Sequence, residues 1–82
     1  MPIRPEVAAI GRQIVRILIG QSNLRPCSAL PRAARSIARQ RKAGLPEQDL
    51  RRLPDCIAFA DDEAREVGQA LARWLLEYSK RL

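Results

Sequence analysis

Apolar residues recur at helical spacing along most of this chain, and the widest apolar arc lies near its start. Between residues 5 and 20, apolar side chains cover more than half of a helical wheel. The polar positions of this segment are Glu6, Arg12, Gln13 and Arg16. A surface helix usually buries a narrower stripe. The pattern therefore predicts a central helix over 5–20 that is covered on two sides, by the rest of the chain or by a second copy.

The middle of the chain predicts one medium helix and one short helix. Ser28 is a good N-cap and Gly44 a good left-handed C-cap, which places a second helix at 29–43. Pro46 restarts the chain into a short third helix over 47–53, and Pro54 is expected to end it.

A long fourth helix is predicted over 61–80. Acidic residues at its start and basic residues at its end suit the helix dipole. Its expected buried face contains Ala64, Val67, Leu71, Trp74 and Tyr78, and Gly68 and Leu75 widen it. Trp74 and Tyr78 fill the core in this interpretation, or else anchor a partner protein. Phe59 and Leu76 fall off that face, which makes them candidates for a protein interface.

These elements predict an all-α protein, a compact three- to four-helix bundle that forms a single domain over 1–82. Charged and polar residues interrupt the first helix, and it is too short to span a bilayer. No small-residue cleavage site follows it, so a signal peptide is not indicated. We therefore expect a cytoplasmic protein with no membrane association.

Charge is divided unevenly between the two parts of the chain. Up to residue 46, nine basic residues are opposed only by Glu6, which gives +8 (9 − 1), whereas six basic and eight acidic residues follow, which gives −2 (6 − 8). A basic half indicates an anionic partner. The alternative is compositional, because arginine outnumbers lysine thirteen to two, as a GC-rich coding sequence would produce.

Four cations of the second predicted helix share one side of it. They are Arg32, Arg35, Arg39 and Lys42, and steps of three, four and three residues keep them within about 80° of one another. They form a ridge about 15 Å long, at 1.5 Å of rise per residue. Phosphates along a nucleic-acid backbone match such a ridge, which Ser36 and Gln40 flank. Arg12 and Arg16 are auxiliary contacts if the first helix turns its polar strip to the same side.

Arg41 differs from these four because it points toward the apolar side of the second helix. We expect it to pair with a carboxylate of its own chain, with Asp49 or Asp55 as candidates. A helix-turn-helix around Gly44 is disfavoured, because the third helix is barely two turns long and begins with acidic residues.

No signature of catalysis, metal binding or cofactor binding is apparent. Cys27 and Cys56 without any histidine do not provide a zinc site within one chain. Neither cysteine has a neighbouring base to activate it, and no glycine-rich phosphate loop is present. Two reduced thiols are favoured over a disulfide. We expect no enzymatic activity and no small-molecule substrate.

The sequence favours a small non-enzymatic regulatory or accessory protein that docks an anionic surface, most readily nucleic acid. The alternative is a protein-binding adaptor or inhibitor, of the kind that phages and mobile elements encode, acting on an acidic or apolar protein surface. The wide apolar arc of the first helix also suggests a homodimer formed through that helix.

Overall fold

Five helices make up the described part of the chain. The computed structural model describes the backbone of residues 3–19 and 26–82, and the side chains of 3–19 and 29–82. The helices are α1 (Pro5–Ile19), α2 (Pro26–Lys42), α3 (Glu47–Arg51), α4 (Leu53–Cys56) and α5 (Asp62–Ser79). No strand occurs within these ranges. The radius of gyration is 11.9 Å, close to the roughly 12 Å of a folded chain this long. The predicted all-α, compact bundle is confirmed.

Helix α1 packs against α2, α4 and α5, whereas α5 contacts all four other helices. Val7, Ile10 and Ile14 are at most 2% exposed. Burying such aliphatic side chains contributes about 1.5–3 kcal/mol each. The wide apolar arc therefore finds most of its cover within the same chain. The predicted last residue of this helix, Gly20, lies outside the described residues.

Helix α2 begins earlier than predicted and ends where Gly44 reverses the chain. It starts at Pro26, so Ser28 lies inside the helix and the predicted N-cap is wrong. Proline suits a first helical position because its fixed φ is already helical. At the other end, Gly44 adopts φ +95°. Its N–H donates to the Arg41 carbonyl, and the Leu45 N–H donates to the Gln40 carbonyl, which forms a Schellman cap.

The expected third helix is divided in two. Helix α3 ends at Arg51, a turn follows at Arg52, and α4 then begins at Leu53. Pro54 therefore lies in the first turn of a helix instead of ending one. A first-turn proline costs nothing there, because its missing N–H would have no partner within the helix.

Helix α5 has the predicted start but a different buried face. The Asp61 carboxylate accepts a hydrogen bond from the Ala64 N–H at 2.8 Å, which caps the helix. Val67 and Trp74 are 54% and 50% exposed, so the predicted face is wrong by roughly a quarter of a turn. Gly68 and Leu75, which were expected to widen that face, are buried, together with Ala72, Leu76 and Ser79.

The small residues of α5 explain this rotation. A Cβ atom added to Gly68 would lie only 2.1 Å from the Phe59 ring and 3.2 Å from Leu18. The Phe59 ring, in the segment before α5, thus packs directly against the helix backbone at Gly68, where no side chain fits. Close packing favours this arrangement over one that turns Trp74 inward, since interiors tolerate little overpacking.

Candidate anion-binding face

The four cations predicted to form a ridge are all exposed along α2. We call Arg32, Arg35, Arg39 and Lys42 the cationic ridge. The opposite side of α2 carries Ala33, Ala34 and Ile37, which are at most 1% exposed. The buried face thus fixes the orientation of the helix, and helical geometry places the ridge on the outward side.

The backbone beneath the cationic ridge is one continuous helix. Helix α2 runs without interruption past Pro31 to Lys42. The glycine cap at Gly44 satisfies the last carbonyls of the helix. The ridge therefore spans about 15 Å of regular helix, from 1.5 Å of rise per residue.

No carboxylate forms an ion pair with the cationic ridge within the described part of the chain, although Glu6 and Arg39 line the same groove. The ion pairs found there join Arg4 to Asp49, Arg41 to Glu47, Arg65 to Asp62 and Lys80 to Glu77. Each of these pairs involves cations outside the ridge. The positive charge of the ridge is therefore left to solvent, counterions or a partner.

One ridge side chain has a neutral partner. The Arg39 Nη2 donates to the Ser36 hydroxyl at 3.3 Å, and that hydroxyl donates to the Arg32 carbonyl at 3.1 Å. Ser36 is only 8% exposed, so it supports Arg39 and is not an additional surface contact. The guanidinium of Arg39 keeps its charge and several further donors.

The two auxiliary cations of α1 lie on a different groove from the cationic ridge. Arg12 and Arg16 are exposed and line a groove of about 390 Å³ with the segment 56–58. The groove that α1 shares with α2 is lined instead by Ala9, Gln13 and Arg39, among others. The structure therefore does not bring Arg12 and Arg16 together with the ridge.

Arg41 points inward, as expected, but its predicted partners are wrong. Its Nε and Nη2 donate to the two carboxylate oxygens of Glu47 at 2.7 and 3.0 Å. Nη2 also donates to the Leu76 carbonyl at 3.1 Å, and Nη1 donates to the Ser79 hydroxyl. One guanidinium thus joins α2 to α3 and α5, and the fork geometry makes this pair directional. Asp49, the expected partner, binds Arg4 at 2.7 Å.

The electrostatics of this pair are visible in the pKa of Glu47. Hydrogen bonds from Arg41 hold the pKa of the Glu47 carboxyl below its ordinary value, against the opposing effect of partial burial. Glu47 is the first residue of α3, directly after the Gly44–Pro46 connection. The sequence signal for this pair was therefore a carboxylate just beyond the turn, six residues from Arg41.

The length and the acidic side chains of α3 also count against a helix-turn-helix around Gly44. It spans five residues, Glu47–Arg51, and its acidic side chains bind Arg41 and Arg4. A recognition helix needs several turns in the major groove. The arrangement of α2 and α3 is therefore structural.

The two predicted protein-interface residues have intramolecular roles. Leu76 is 7% exposed and belongs to the core, so its expected exposure is wrong. Phe59 is partly buried against Gly68. The exposed aromatic residue is Trp74, whose ring stacks on Tyr78 with centroids 5.1 Å apart and planes 12° apart. Trp74 was expected to be buried because it falls at regular helical spacing among the apolar residues of this helix.

One cysteine side chain lies within the described residues. Cys56 is a partly buried free thiol, whereas the side chain of Cys27 lies outside the described residues. Within the described ranges, no group of three or more metal-ligating side chains is present. The same ranges contain no helix with the length and hydropathy needed to cross a membrane.

No protein-family model, curated protein or solved structure matches this chain.

Proposed function

We propose that this chain is a small non-enzymatic accessory or regulatory protein that binds a polyanion, with nucleic acid favoured, through the cationic ridge. One observation carries the proposal: four exposed cations line the outward side of one continuous helix, with no carboxylate paired to them within the described residues. A regular row of this kind fits a partner whose negative charges repeat.

The length of the ridge supports a phosphate backbone over a single small anion. A duplex presents about one charge per 1.7 Å of its axis, so about 15 Å of helix faces several phosphates. Like charges at helical spacings of three and four residues cost a few tenths of a kcal/mol per pair, which an anionic partner relieves. Arginine further suits phosphate because its planar fork donates two parallel hydrogen bonds.

The charge distribution elsewhere in the chain also supports α2 as the contact face. The exposed cations Arg51 and Arg73 lie on a groove that contains Glu47, Asp55 and Glu77. Acidic neighbours of this kind repel phosphate and leave little net positive field. The two sites therefore provide a comparison within one protein.

A salt titration of binding to duplex DNA, single-stranded DNA and RNA tests this proposal. Four phosphate contacts predict a slope of log K against log salt of about −3.6 for a duplex and about −2.8 for a single strand. Arg35→Ala with Arg39→Ala should make the duplex slope shallower by about 1.8.

The matched control is Arg51→Ala with Arg73→Ala, which removes the same charge from the mixed-charge groove. This control should keep most of the affinity and nearly all of the slope. The proposal is rejected if no nucleic acid binds at low salt, or if the two double variants weaken binding equally.

A second candidate, a protein-binding adaptor, is favoured by the groove beside α1. Its floor is apolar, with Val7, Val15 and Ile57 among its lining residues, and Arg12 and Arg16 stand at its edge. An extended or helical protein segment with apolar side chains and flanking carboxylates fits this combination.

Affinity purification with and without nuclease separates the two functions. A protein partner of the groove survives nuclease, is lost with Arg12→Glu and Arg16→Glu, and is retained by the Arg35→Ala, Arg39→Ala variant. Loss of every partner after nuclease treatment rejects the adaptor function.

A further inference from the structure

A solvent-exposed apolar stripe runs along α5 beside its buried face. We call Val67, Leu71, Trp74 and Tyr78 the α5 stripe. Val67 and Trp74 are 54% and 50% exposed, and Leu71 and Tyr78 are partly exposed at the edge of the core. The stacked rings of Trp74 and Tyr78 form a flat apolar surface. Contiguous exposed apolar surface of this kind is typical of an interaction site.

The packing of the monomer does not require the exposed side chains of this stripe. Gly68, Ala72 and Leu75 carry the contact of α5 with the rest of the bundle. By contrast, Val7, Ile10 and Ile14 of α1 are buried within the chain. Val67 and Trp74 of α5, unlike these three residues, therefore lack cover within the chain.

We infer that the occupant of the α5 stripe is the α5 stripe of a second copy, packed antiparallel across a two-fold axis. The stripe residues are spaced by four, three and four, which reads the same in both directions. With the axis between residues 72 and 73, Val67 meets Tyr78 of the other copy and Leu71 meets Trp74. Each aromatic ring then packs on an aliphatic side chain, and every contact occurs twice, as a two-fold interface requires.

Charge complementarity fixes the antiparallel direction. From residue 61 to 70 the chain has four acidic residues and one basic residue, which gives −3 (1 − 4). From 71 to 82 it has three basic residues and one acidic residue, which gives +2 (3 − 1). An antiparallel pair places each acidic half against a basic half, whereas a parallel pair places like charges together.

Glu63 and Arg81 are the charges that lie closest to this contact. Both are exposed. Arg81 lies two residues beyond the end of α5, and continuing the helical spacing to it places both residues about 50° from the centre of the α5 stripe, on the side away from the core. Eighteen residues, about 27 Å at helical rise, separate them within one chain, so they do not interact there. In the antiparallel register, Glu63 of each copy lies beside Arg81 of the other.

Light scattering and intrinsic fluorescence across concentration test this dimer on the full chain. The mass should rise from 9.2 kDa toward twice that value. Trp74 is the only tryptophan in the sequence, so its emission should shift to the blue over the same concentration range. Val67→Asp should keep the chain monomeric, whereas Ile3→Asp, at an exposed apolar site elsewhere, should leave the dimer intact.

Charge swaps test the register independently of folding. Glu63→Arg alone and Arg81→Glu alone should each weaken the dimer, by about threefold to tenfold for exposed pairs. Mixing the two variants should restore wild-type affinity, because each chain then presents the charge that the other lacks. Circular dichroism melts of the separate variants show that both are folded.

Three results overturn the inference. They are a monomer at every concentration, a dimer that tolerates Val67→Asp, and single charge swaps that leave the affinity unchanged. The last result is expected for a parallel pair, whose like charges already face each other. A different protein bound at the α5 stripe of a strictly monomeric chain would also replace the second copy as occupant.

Discussion

Arg39 and Arg41 are two residues apart on α2, yet they have opposite surroundings. Arg41 is directed at the bundle interior, where it binds Glu47 and the end of α5. Arg39 lies on the exposed side, with only the Ser36 hydroxyl as its partner among the described side chains. Arginine therefore stabilises the fold on the inward side of α2, whereas on the outward side of the same helix it is left available for binding.

The largest loss of stability is expected from Ile37, on the side of α2 that faces the bundle interior. Ile37 is 0% exposed, and Ile37→Ala removes three buried carbons where α1 and α5 also pack. We expect a loss of about 3 kcal/mol in the free energy of unfolding, because the cavity collapses only in part. Urea denaturation measures it. A loss below about 1 kcal/mol would show that the inner face is loosely packed.

The next largest loss of stability is expected from replacing Arg41, whose guanidinium points inward. Arg41→Ala leaves Glu47 without its ion-pair partner and removes the donor to the Ser79 hydroxyl and the Leu76 carbonyl, which should cost about 2 kcal/mol of stability. Arg41→Lys should recover only part of this, because an ammonium lacks the planar fork. Lys42→Ala, one residue along and exposed, is the control and should change stability by at most about 0.5 kcal/mol. Equal losses for Arg41→Ala and Lys42→Ala would remove the distinction between the faces.

The pH dependence of the Arg41–Glu47 pair gives a smaller effect. Since the pKa of Glu47 is lower in the folded state than its ordinary 4.5, the stabilisation is complete above that value. It is lost as the pH falls through the folded-state pKa. The stability difference between wild type and Glu47→Gln should therefore be largest at about pH 7 and shrink in acid, below about pH 4.5. In an Arg41→Ala background, this pH dependence should be much smaller, because only the attraction of Lys80 and Arg51 then favours the carboxylate.

The smallest effect on stability is expected from the cationic ridge. Arg35→Ala with Arg39→Ala should change the free energy of unfolding by at most about 0.5 kcal/mol, with a slight gain from relieved repulsion. The same variant should lose polyanion affinity, whereas Arg41→Ala should reduce affinity only as far as it unfolds the protein. Thermal melts and anisotropy titrations on the same samples measure both quantities. Strong destabilisation by the ridge variant would assign these cations to the fold.

Sequence patterns predicted the elements well where local chemistry decides them. Asp61 caps α5, and Gly44 ends α2 in a left-handed turn, because both choices depend on a few neighbouring atoms. The outward placement of the cationic ridge followed from helical periodicity alone. These features need no knowledge of the partner helices.

Sequence patterns gave wrong predictions where two arrangements were about equally compatible with the local sequence. Helix α5 has two adjacent apolar faces, and the regular spacing of Val67, Leu71, Trp74 and Tyr78 favoured the wrong one. The pairing of Arg41 with Glu47 instead of Asp49 depends on how the Gly44–Pro46 connection aims α3. Pro54 was expected to end a helix, but it opens α4.

The sequence by itself determined that this protein is helical, where α5 begins and ends, where α2 ends, and that one side of α2 is cationic. Those properties arise from contacts within a few residues of one another. Only the tertiary structure decided which face of α5 is buried, which carboxylate binds Arg41, and that Arg12 and Arg16 lie apart from the ridge. These outcomes depend on close packing between distant segments, such as the Phe59 ring on Gly68, and local periodicity does not encode such fits.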